Sequence, residues 1–112
     1  MRQALLPLLL GAPVPHPPLD DAAITAAVIT AATRTTVACL GMEVNYRVER
    51  EAIRVLGVTQ AEIVRPEVQA AVFELTKRMM RHKPESCTRI WEAFGPDGRV
   101  VPGLVYANPA IR

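Results

Sequence analysis

The stretch DDAAITAAVITAATRTTVACL, residues 20–40, limits the architecture more than any other part of this chain. Alanine favours helix, and its side chain is so short that two backbones must approach closely before much surface is buried. Asp20 or Asp21 is suited to accept hydrogen bonds from the free amides of a helix start. The segment predicts a helix over about 21–34 that is able to continue to Leu40. Ile24, Ala27, Val28, Ala31 and Ala32 recur at helical spacing and are expected on its inner face. Thr25, Thr30, Thr33, Thr35 and Thr36 oppose the helix through their β-branching, and TRTTVACLG reads equally well as extended chain.

This helix makes for a thin core. Half of the 112 residues are hydrophobic, but only two Phe, two Tyr and one Trp supply large side chains. The length suits one domain, which at this size needs good packing or an added restraint. The formal charge of +2, from 13 basic and 11 acidic side chains, demands no polyanionic partner. No apolar stretch reaches the length of a membrane span.

Further along, glycine and proline punctuate the chain. Gly41 marks a break, and a second helix is expected over 42–56. Val44, Val48, Ala52 and Val55 would form its inner stripe, widened by Ile53 and Leu56, with Glu43, Arg47 and Glu51 paired on the outside. Gly57 is a natural helix end. TQAE, beginning at Thr59, has the capping-box pattern. Pro66 suits the first position of a third helix running to His82, with Val68, Val72, Leu75 and Met79 as its stripe. A short fourth helix, 84–94, carries Cys87, Ile90, Trp91 and Phe94. GPDG is a turn, and RVVPGLVYANPAIR is an extended strap or edge strand. The expected fold class is all-α: a small three- to four-helix bundle over 20–98, with an extended N-terminal arm or leader over 1–19 and an extended C-terminal strap over 99–112.

MRQALLPLLLGAPVPHPPLDD admits two readings. Arg2, the leucines and then Gly11 and Ala12 follow the order of a signal peptide. Against that, the apolar run is short, Pro7 interrupts it, and Pro13 follows the nearest cleavage site. The alternative is an arm whose Leu5, Leu6 and Leu9 contact the body or a partner, joined by a stiff proline linker. The export reading is the one favoured, with a cytoplasmic assembly as the alternative.

Cys39 and Cys87 are the two cysteines, and neither lies in a metal-binding spacing. In an exported chain a disulfide between them closes a loop of about 48 residues and contributes about 3–4 kcal/mol by chain entropy. In a reducing compartment they are two buried thiols. Lys77, Arg78, Arg81, His82 and Lys83 form the densest basic patch. It reads either as a face for phosphate or acidic partners or as cations complementing a helix C-terminus. Trp91 and Phe94, one turn apart, are core anchors beneath the strap or, with Tyr106, contacts for a partner. No catalytic residue, metal site or cofactor motif is expected.

The function expected first is a small non-enzymatic interaction or structural protein, exported and stapled by Cys39–Cys87. The alternatives are an intracellular subunit that docks on a larger assembly through its arm and strap, and a nucleic-acid or phosphate binder that uses Lys77–Lys83. A protein partner or homo-oligomer is expected in the first two.

Overall fold

Asp20 caps the first helix, accepting a hydrogen bond from the Ala23 amide at 2.8 Å. In the computed structural model, which describes residues 18–108, that helix, α1, runs Asp21–Thr36. Burial of Thr33, Thr35 and Thr36 overrides the cost of their β-branching, and the threonine hydroxyls are satisfied by bonds back onto the helix. Thr30 donates to Ala26 O, Thr35 to Ala31 O and Thr36 to Ala32 O, at 2.7–2.8 Å. Thr35 and Thr36 are thereby fully buried with their polar atoms satisfied. The Thr33 hydroxyl meets Glu49 Oε2 at 2.7 Å and ties α1 to the second helix.

The chain then departs from the all-helical expectation. Gly41 adopts a positive φ of 79°, and Met42–Val44 forms a strand, β1, not the start of a helix. β1 pairs antiparallel with β2, Val105–Ala107, in the register Met42↔Ala107, Glu43↔Tyr106, Val44↔Val105. Backbone bonds extend the pairing at both ends, from Asn45 N to Leu104 O and from Asn108 N to Gly41 O, each 2.8 Å. Helix α2 runs Tyr46–Val55. Asn45 ends the strand and starts this helix, its side chain accepting from the amides of Arg47 and Val48.

The short α3, Gln60–Ile63, carries the capping box read from the sequence. Bonds from the Thr59 amide and hydroxyl hold the Glu62 carboxyl below the usual carboxylate range. Pro66 opens α4, Pro66–Arg81, and Pro84 falls in the first turn of α5, Lys83–Phe94. After GPDG the chain folds back on the end of α5. The amides of Arg99 and Val100 donate to the carbonyls of Glu92 and Ala93, which a helix end leaves without partners.

Among the described residues, two clusters fill the interior. Ala23 and Ala27 of α1 meet Val68 and Val72 of α4, with Leu19, Ala71 and Leu75 at the margin. Further along, the Thr35 hydroxyl reaches Met79 Sδ at 3.5 Å, so α1 and α4 lie side by side in the same sense. The other cluster joins Ile29 and Ala32 to Val44, Ile90, Phe94, Leu104 and Val105. Cys39 and Cys87 are disulfide-bonded, their Cα atoms 5.7 Å apart.

Several expectations about side chains are corrected. Ile24 is half exposed, because α1 turns Ala23, Ala26 and Ile29 inward instead. Val55 is exposed, and Val44 belongs to the sheet. Glu43, Arg47 and Glu51 do not form a row: Glu43 accepts from Asn108 Nδ2 at 2.6 Å, while Glu51 pairs with Arg54 and its carboxyl is lowered by that bond. Leu5, Leu6 and Leu9 lie outside the described residues, as do 109–112 of the strap.

Candidate functional site

α4 and α5 meet at His82, which ends the first helix and precedes the second. The corner is fixed by the Ser86 hydroxyl, which donates to Met79 O at 2.8 Å, and by the Ser86 amide, which donates to His82 O at 2.9 Å. Beside the corner the two helices border a groove of about 610 Å³. Val28, Leu75, Met79, Ile90, Ala93 and Phe94 line its apolar part. Arg78, His82 and Arg89 stand along it with a single acid, Glu85. The disulfide holds α5, at the residue next to Ser86, to the turn after α1, so the groove wall is covalently anchored.

A neighbouring hollow of about 640 Å³ lies between α1, α2 and the 100–102 segment, over Ile29, Val48, Ala52 and Leu56. Its charged residues are Arg47 and Glu51, of opposite sign, so it selects no partner charge. Val100 borders both spaces.

The basic patch that is continuous in sequence is divided in space. Arg78 and His82, four residues apart, line the α4–α5 groove. Lys77 and Arg81, also four apart, line a shallow depression with Arg34, Phe73 and Met80. Lys83 is exposed at the start of α5. Sequence reasoning missed Arg89 and the apolar floor. The signal for the division was available in the two i,i+4 pairs, which a helix turns to different sides. Of the residues read as core anchors or partner contacts, Phe94 is buried at 5% exposure and lines the inner wall of the groove. Trp91 and Tyr106 remain partly exposed at 38% and 39%. Tyr106 lies opposite Glu43, and its hydroxyl pKa is raised, first by desolvation and then by that carboxylate.

Among the described residues no group of three His, Cys, Asp or Glu is placed to hold a metal ion. No described helix is long and apolar enough to cross a membrane. Compared with protein-family models, with curated proteins and with solved structures, the chain matches none.

Proposed function

We propose that this helical body, a small bundle with extended termini, is a non-enzymatic interaction protein, exported and stapled by its disulfide. Its binding face is the α4–α5 groove, and the occupant is an amphipathic helix from a partner protein. Apolar side chains at i, i+3, i+4 and i+7 meet the floor of Leu75, Met79, Ile90 and Ala93. Acidic side chains flank them and face Arg78, Arg89 and His82. The observation that carries this reading is the combination, among the described residues, of an apolar floor with two arginines and a histidine against one acid on a single groove. Rim charges of this kind set selection and approach rate more than affinity.

The test uses two designed helical peptides with the same leucine stripe, one flanked by glutamate and one by lysine. The glutamate peptide is expected to bind the oxidised protein and to lose affinity about tenfold or more in the Arg78→Glu/Arg89→Glu variant. Equal binding of both peptides, or of neither, overturns the reading. Export has its own measurement. Intact mass of the protein from its native host is expected to show loss of residues up to about 12 and two fewer hydrogens for the disulfide.

A further inference from the structure

The side of α4 turned away from the groove carries a different surface. Phe73 and Met80 are exposed there at 60% and 44%, in the depression they share with Arg34, Lys77 and Arg81. The Lys77 ammonium stands 5.2 Å from the centre of the Phe73 ring and 3.3 Å from Glu74 Oε2. That acid offsets Lys77 and leaves Arg34 and Arg81 as the net positive charge of the group. At the same end of the α1–α4 pair, the turn after α1 bears Val37 and Leu40, exposed at 77% and 76%. These two are the most exposed large apolar residues of the described chain.

We propose that this depression, together with the turn after α1 at its end, docks on an anionic lipid surface, with the protein lying on the membrane and not crossing it. Charge complementarity selects the occupant. Arg34 and Arg81 meet lipid phosphates, while Val37, Leu40, Phe73 and Met80 enter the boundary between headgroups and acyl chains. A single-stranded nucleic acid calls for stacking rings, which one phenylalanine among three aliphatic side chains does not supply, and duplex phosphates would meet the two arginines but leave Val37, Leu40, Phe73 and Met80 uncovered. The surface is separate from the α4–α5 groove, so the inference stands without the helix-binding reading.

The test is co-sedimentation of the full oxidised chain with vesicles of phosphatidylcholine alone and of phosphatidylcholine mixed with phosphatidylglycerol. The bound fraction is expected to rise more than about tenfold with the anionic lipid and to fall as salt is added. Arg34→Glu/Arg81→Glu is expected to remove that rise. Val37→Ser/Leu40→Ser changes only exposed side chains and is expected to lower binding several-fold at unchanged helix content. Arg78→Glu/Arg89→Glu, on the groove, is expected to retain it. Equal binding to both vesicles, binding to neither, or binding that survives the first two variants overturns the proposal. Capture by soluble polyglutamate without capture by vesicles also overturns it, in favour of an acidic protein.

Discussion

The two flanks of α1 are built in opposite ways. Toward α4 the seam is alanine against valine: Ala23 and Ala27 meet Val68 and Val72, and the helices approach closely along most of α1. Toward α5 and the sheet the side chains are larger and come from scattered places: Ile29 with Ile90, Phe94, Leu104 and Val105. That flank has long-range partners to gather, and it is the one that carries the disulfide. Small residues give a seam that tolerates no added volume, whereas the mixed flank depends on a covalent restraint to keep α5 in place.

The largest expected effect comes from cutting that restraint. Cys39→Ser/Cys87→Ser is expected to cost about 3–4 kcal/mol, which lowers the Tm by more than about 12 °C in a domain of this size. Amide exchange should accelerate first in α5 and β2 and last in the α1–α4 seam. A uniform acceleration would erase the distinction between the flanks. Next comes overpacking of the small-residue seam. Ala27 is 1% exposed, so Ala27→Leu is expected to cost about 1–3 kcal/mol. Ile90→Val on the mixed flank should cost about 0.5–1.5 kcal/mol. Denaturant unfolding of both variants gives the order, and a reversed order would refute the contrast in packing.

Smaller again is the cap of the shared helix. Asp20→Ala removes the acceptor for the Ala23 amide and is expected to cost about 1 kcal/mol. Because Asp20 sits at the end of α1 where Ala23 meets α4, the added exchange should appear in that seam and not in α5. Added exchange in α5 instead would remove α1's first turn from the small-residue flank.

The small-residue flank was largely legible from sequence, and the mixed flank was not. Val68, Val72, Leu75 and Met79 repeat at helical spacing between Pro66 and the basic end of α4, so local signals suffice there. The pairing of Cys39 with Cys87 was also readable, given an oxidising compartment, because the chain offers no other pair. The sheet escaped because Val44 stands four and eight residues before Val48 and Ala52, which imitates a helical stripe. Its true partner, Val105, lies far away in sequence. Asn45, placed to cap α2, was the local sign that helix had not yet begun. Ile24 misled because alanines surround it in sequence, and a helix with small residues on every side shows no preferred face. The groove was invisible for a related reason: residues from α1, α4, α5 and the 99–101 turn-back meet only after the mixed flank has assembled.

The smallest effect probes the outer face of that flank. Tyr106 on β2 faces Glu43 on β1, and desolvation is the main cause of its raised pKa, with the carboxylate adding to it. A raised folded-state pKa means that the native chain holds the phenolic proton more tightly than the unfolded chain does. The linked stability is therefore complete below the unfolded value near 10 and is lost as pH climbs through the folded value. Phenolate absorbance should show a late-titrating component that Tyr106→Phe removes. Glu43→Gln should bring it only part of the way back, since the packing that desolvates the ring remains. Complete return in Glu43→Gln would make the carboxylate the dominant cause. A titration of the unmutated protein with no late component would mean that β2 does not hold Tyr106 against β1 in solution, and with it the sheet half of the mixed flank would have to be redrawn.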